Sequence, residues 1–194
     1  EGLRCGLSST HDGQLVAARW NGKFQWWIPA TGKLVHEQVI NEESEVGLCT
    51  IAVSPDGSLI GYGCMSADVR LLDADSGALR ATIAKSQHMF FGPLAFVPKT
   101  RHIVVPGVDA MAVAQFRQQF DPDNPAEQRF ATVRRWDYDQ KRELWSTGPL
   151  PIMNCLAVSP DGQMVAAGFL ASDDPIHIWS ASDGKLLMKL VGHV

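Results

Sequence analysis

The chain has 194 residues, of which 45% are hydrophobic and 20% charged, with a net charge of −4. Those values suit one ordinary folded domain with a sizeable core. The negative balance speaks against a nonspecific nucleic-acid binder, and no apolar run approaches the ~20 residues of a membrane helix, so neither nucleic acid nor membrane is expected as a partner.

In chain order, the sequence predicts strands in groups of four. The first group is Arg4–Ser9, Leu15–Trp20, Lys23–Ile28 and Lys33–Val39. The second is Cys49–Val53, Leu59–Gly63, Val69–Asp73 and Ala78–Ala84. The third is Leu94–Val97, His102–Val108, Phe130–Tyr138 and Arg142–Ser146, and the fourth is Cys155–Val158, Met164–Phe169, Ile176–Ser180 and Lys185–Val191. Within each group the first two strands are short and nearly all apolar, as strands buried on both faces are. The third alternates, and the fourth is polar-mixed, as an outer edge strand should be.

The turn between first and second strands repeats. It reads Ser54-Pro55-Asp56-Gly57 and Ser159-Pro160-Asp161-Gly162, with weaker copies at Thr10-His11-Asp12-Gly13 and Val97-Pro98-Lys99-Thr100. The first three copies recur roughly every 43–44 residues, a repeat architecture, and the last interval carries about 20 extra residues. Proline presets the first corner, aspartate bonds the backbone two residues on, and glycine takes the left-handed position that closes the hairpin. The turns between third and fourth strands repeat as well, at Ala30-Thr31-Gly32-Lys33, Asp75-Ser76-Gly77, Asp139-Gln140-Lys141 and Ser182-Asp183-Gly184-Lys185. Four such meanders in tandem predict an all-β chain, a β-propeller of four-stranded antiparallel blades at about 1–45, 46–87, 88–148 and 149–194, with an insertion at 109–129.

Trp136-Asp137 closes the third strand of the third group, and Trp27-Ile28, Leu72-Asp73 and Trp179-Ser180 occupy the same place elsewhere. With the Ser-Pro-Asp-Gly turns, this resembles the WD-repeat β-propeller family over essentially the whole chain. On that resemblance Trp27, Trp136, Asp137, Trp179, Asp56, Gly57, Asp161 and Gly162 are structural residues. Asn21 and Asp173 fall where the family's tetrad aspartate would be. The family's Gly-His pair survives only as Gly192-His193, which would introduce a following blade, with His88 a shifted candidate. Propellers of this family usually close with seven or eight blades. Four blades in this chain fit half of a larger ring in a longer protein, a ring shared by two chains as a homodimer, or a small ring that closes alone. The chain starts at Glu1 without methionine, as a cut segment would.

The insertion, Asp109–Arg129, is rich in alanine, methionine and glutamine before Asp121-Pro122-Asp123-Asn124-Pro125 breaks regular structure. Val113, Phe116 and Phe120 fall roughly on one helical side, so a short helix or an extended hairpin fits. In a propeller resembling the family, this connection lies on the rim that commonly receives partners. Phe116, Arg117 and Phe120 are the candidate contacts, or the two phenylalanines pack the insert onto its own blade. His88, Phe90 and Phe91, in a linker on the same rim, are further candidates. The other linkers differ, Asn41–Glu45 being acidic and Gly148-Pro149-Leu150-Pro151 stiff and uncharged. Mixed character suits a protein or peptide partner.

Cys5, Cys49, Cys64 and Cys155 make no Cys-x-x-Cys motif, and cysteine recurring in apolar strands reads as a small core residue. Free thiols favour a reducing, cytoplasmic compartment without fixing it. No glycine-rich phosphate loop and no nucleophile elbow is present. Ser9, His11 and Asp12 are turn neighbours, and Asp173-Asp174 reads as a hydrophilic turn. No cofactor is expected. The function expected is a non-enzymatic scaffold for protein–protein interaction. The alternatives are part of an enzyme-type, quinoprotein-like propeller, which Asp139–Trp145 resembles weakly, and a regulatory propeller fused to a catalytic domain.

Overall fold

The computed structural model describes residues 5–9, 13–19, 23–39, 48–64, 69–83, 92–108, 131–169 and 175–192. Among these, sixteen strands form four separate four-stranded antiparallel sheets, each a meander and each one propeller blade. Blade 1 is β1 (Cys5–Ser9), β2 (Leu15–Arg19), β3 (Lys23–Ile28) and β4 (Lys33–Val39). Blade 2 is β5 (Leu48–Val53), β6 (Leu59–Cys64), β7 (Val69–Asp73) and β8 (Leu79–Ile83). Blade 3 is β9 (Ala95–Val97), β10 (His102–Val108), β11 (Ala131–Asp137) and β12 (Arg142–Leu150). Blade 4 is β13 (Met153–Val158), β14 (Met164–Phe169), β15 (Ile176–Ser180) and β16 (Leu186–Leu190).

The chain divides into two compact units, Glu1–Phe96 and Val97–Val194, the boundary falling inside β9. The first has a core of Val16, Phe24 and Trp26 from blade 1 against Ile51, Val53, Ile60, Tyr62, Leu72 and Ala74 from blade 2. Phe24 meets Tyr62 edge to face, with ring centroids 5.8 Å apart. The second unit packs Val104, Ala131 and Val133 of blade 3 against Val165, Ala167, Phe169 and Trp179 of blade 4. One face of each meander therefore fills the gap to its neighbour, because residues two apart on a strand point the same way.

The third and fourth strands are offset by the same bulge in every blade, falling between Trp26 and Trp27, Leu71 and Leu72, Arg135 and Trp136, and Ile178 and Trp179. A bulge adds twist, which each blade of a propeller needs.

Two expectations are corrected. Gly148-Pro149-Leu150 is not a linker but the end of β12, with Leu150 buried and paired to Ala131. Cys155 is not a core residue. It is a free, exposed thiol, because β13 turns it to a face of blade 4 that no described neighbour covers. The outer strand β16 lies at the edge of its sheet as expected, with Leu186, Leu187, Met188 and Leu190 all exposed. The Thr10-His11-Asp12 turn and the 109–129 insertion lie outside the described residues.

Candidate interaction surface

The repeated carboxylates come first, because they are the groups a catalytic or metal role would use. Asp56 accepts from Ser54 Oγ at 2.6 Å, Ser58 Oγ at 2.8 Å and Ser58 N at 3.1 Å, while Ser54 Oγ accepts from Leu59 N at 2.9 Å. The Ser54 hydroxyl, then Ser58, hold the Asp56 carboxyl down at about 2. Asp161 repeats this with Ser159 Oγ and with Gln163 N at 3.0 Å, and its pKa is lowered for the same reason. Asp73 accepts from Ser76 Oγ at 2.7 Å and Ser76 N at 2.9 Å, and pairs with Arg80 at 2.6 Å; these bonds push its carboxyl far below the usual range. Asp137 accepts from the backbone of Asp139 at 3.0 Å and Gln140 at 2.8 Å. Each carboxylate is engaged in closing its own hairpin. Gly57 and Gly162 take the left-handed position at φ 75° and 73°. In the weak third copy Lys99 does so at φ 60°, and Lys141 substitutes likewise at φ 52° in the outer turn of blade 3.

The tryptophans at the ends of the third strands are placed alike. Trp179 is fully buried, whereas Trp27 and Trp136 are half-buried. The indole Nε1 of Trp136 is buried without a hydrogen-bond partner.

Neighbouring blades are joined by a latch that the sequence did not reveal. In the first unit Gln38 Nε2, on β4, donates to the Ser76 carbonyl at 3.0 Å and lies over Gly77, where a Cβ would sit 1.2 Å from that nitrogen. In the second unit Trp145 Nε1, on β12, donates to the Ala181 carbonyl at 2.9 Å, and its ring covers Gly184, where a Cβ would lie 2.8 Å from Cδ2. Arg135 also donates to the Ala181 carbonyl. In both units an outer-strand side chain grips the glycine hairpin of the next blade. The glycines were visible as turn residues, but the side chain packed on them comes from another blade, a contact no local pattern encodes.

Arg135 is buried, and its Nη2 lies 2.6 Å from His102 Nδ1, whose other nitrogen is 3.7 Å from Asp137 Oδ2. Burial, then the Arg135 charge, lower the His102 pKa against the opposing pull of Asp137. Neutral His102 thus accepts from Arg135 through Nδ1 and points Nε2–H toward Asp137. Burial also lowers the Arg135 pKa. Arg134, the neighbour, faces the other way, bonding Thr132 at 3.0 Å, as alternation along a strand requires. No set of three or more potential metal ligands occurs among the described residues. The predicted contacts Phe116, Arg117, Phe120, His88, Phe90 and Phe91 all lie outside the described residues.

No protein-family model matches the chain. It is 31% identical over 152 residues, 74% of its length, to the periodic tryptophan protein 2 homologue of Dictyostelium discoideum. Over 40 residues, 21% of its length, it is 55% identical to periodic tryptophan protein 2 of Saccharomyces cerevisiae and to the homologue of Neurospora crassa. These matches span 14% of the Dictyostelium protein and 4% of each of the other two.

Proposed function

Since the chain belongs to the WD-repeat β-propeller family, as do these relatives, we propose that it is a non-catalytic module that binds a protein or peptide through the rim of its blades. The observation that carries this is the use of the repeated carboxylates, Asp56, Asp73, Asp137 and Asp161, in closing their own hairpins. Groups so engaged hold a scaffold rigid and leave recognition to the connections between strands. Phe116, Arg117 and Phe120 of the 109–129 connection, with His88, Phe90 and Phe91 of the preceding linker, are the contacts of this reading. Aromatic and arginine side chains are the types that dominate binding energy at protein interfaces.

The test is affinity capture with the natural full-length protein, comparing wild type with a Phe116→Ala, Phe120→Ala double variant. Partners identified by mass spectrometry should be lost selectively from the variant while its melting temperature is unchanged. An unchanged partner set on a folded variant refutes the rim assignment.

A further inference from the structure

Arg135 is a charge in a position that the other blades give to apolar residues. The residue just before the bulge of the third strand is Trp26 in blade 1, Leu71 in blade 2 and Ile178 in blade 4. In blade 3 it is Arg135, which is only 7% exposed. A cation so far from water ordinarily sits against a carboxylate. Among the described residues its partners are instead two neutral acceptors, the Ala181 carbonyl of blade 4 and His102 Nδ1 at 2.6 Å, and its Nε has none.

This arrangement tolerates one protonation state. A guanidinium only donates, so His102 Nδ1 must accept, and an imidazole nitrogen accepts only while the ring is neutral. The ring proton then stands on Nε2, 3.7 Å from Asp137 Oδ2. A second proton would set an N–H of His102 against an N–H of Arg135, two cations with no acceptor between them. Nη1 and Nη2 belong to one planar group, so drawing Nη2 back from His102 also draws Nη1 off the Ala181 carbonyl. Two further charges act on the ring: Asp137 on β11 favours the second proton and Arg142 on β12 opposes it. Arg101, beside His102 in the chain, pairs with Asp139 at 3.7 Å. In the blade-4 hairpin, Ser180 and then the Lys185 backbone hold the Asp183 carboxyl below the usual range, so it keeps its charge where a histidine titrates.

We infer that His102 and Arg135 form a proton-operated catch between blades 3 and 4, in which protonation of His102 withdraws Arg135 from the Ala181 carbonyl and loosens the outer hairpin of blade 4. Trp145 Nε1 is then the remaining donor to that carbonyl. The first-unit latch has no such control. Gln38 makes the grip there and does not titrate, and Asp73 in the hairpin it holds stays ionised. Burial and the Arg135 charge make the closed form resist the proton, so opening grows as pH falls, by up to about tenfold per pH unit.

The test is hydrogen exchange read by mass spectrometry on the natural full-length protein, from about pH 8 to about pH 5. Three hairpins are compared at each pH: 180–185, the gripped hairpin 73–78 of the first unit, and 159–164, the inner hairpin of blade 4. Their ratios cancel the intrinsic pH dependence of exchange. Relative to the other two, 180–185 should exchange at a constant rate above pH 6.5, the ordinary histidine value, and faster below it by up to about tenfold per pH unit. His102→Asn keeps an acceptor in place of Nδ1 and takes no proton, so its ratio should stay flat. Exchange at the imidazole C2 position gives the His102 titration from the same spectra, and the rise should follow it, which decides the matter in wild type alone if the variant does not fold. Four results overturn the inference: a flat ratio in wild type, a rise that persists in folded His102→Asn, a rise that departs from the His102 titration, or a parallel rise at 159–164. The last would mean that acid opens the whole blade and not its outer hairpin.

Discussion

Gly184→Ala perturbs the second-unit latch at its tightest point. The residue holds φ 71°, a region that costs an alanine about 1–2 kcal/mol. The new methyl group would also stand 2.8 Å from Trp145 Cδ2 and 2.9 Å from Cε3, so the indole must move. Displacing it breaks the 2.9 Å bond to the Ala181 carbonyl, a further loss of about 0.5–1.5 kcal/mol, and strips contacts from the blade 3–blade 4 core. The expected total is therefore about 2–4 kcal/mol in wild type. In a Trp145→Ala background only the backbone strain of about 1–2 kcal/mol remains. Urea unfolding of wild type, both single variants and the double variant closes the cycle, followed by a probe in the second unit. The coupling expected is about 1–2 kcal/mol. If Gly184→Ala costs the same with and without the indole, the glycine serves its turn alone and the latch is not an energetic unit.

Two other expectations concern the cores. Because the folded-state pKa of His102 lies below its ordinary 6.5, the unfolded chain takes up a proton that the native state resists, so stability should be complete above pH 6.5 and fall as pH drops below it. Thermal melts from pH 8 downward should show that decline, and Arg135→Met should raise the His102 titration followed by NMR, since it removes the facing cation and leaves Asp137; an unmoved titration would count against the contact. Phe24→Ala removes a ring that joins blade 1 to blade 2 and should cost about 3–5 kcal/mol by denaturant unfolding, where a loss below about 1 kcal/mol would mean the two blades do not share a core.

The meander was legible because its signals are local. Turn chemistry at Ser54–Gly57 and Ser159–Gly162 fixes where strands begin, and β3, β4, β7, β10, β14 and β15 run between the residues that the pattern predicts. The ends of β12 and β13 were not, because Gly148 and Pro149 read as a break while Leu150 is drawn into the sheet by burial opposite Ala131. Cys155 misled for a related reason. An apolar strand says that a residue is near a core, but which of its two faces has a neighbour depends on the blade beside it. The latch was invisible for the same cause: Gln38 and Ser76, or Trp145 and Ala181, meet only once two meanders have been laid together.

Lys141, left-handed where the outer turns of the other blades have Gly32, Gly77 and Gly184, bears on how the repeat drifts. A lysine there carries about 1–2 kcal/mol of backbone strain, while glycine gives up about 0.5–1 kcal/mol through the freedom it adds to the unfolded chain. The second term offsets only part of the first, so exchange at such a corner costs about 1 kcal/mol where no side chain covers it. Signature letters can erode one by one along a lineage while the hairpin they once spelled persists. In an old propeller the outline of the meander outlasts its consensus, and searches keyed to the letters lose such blades first.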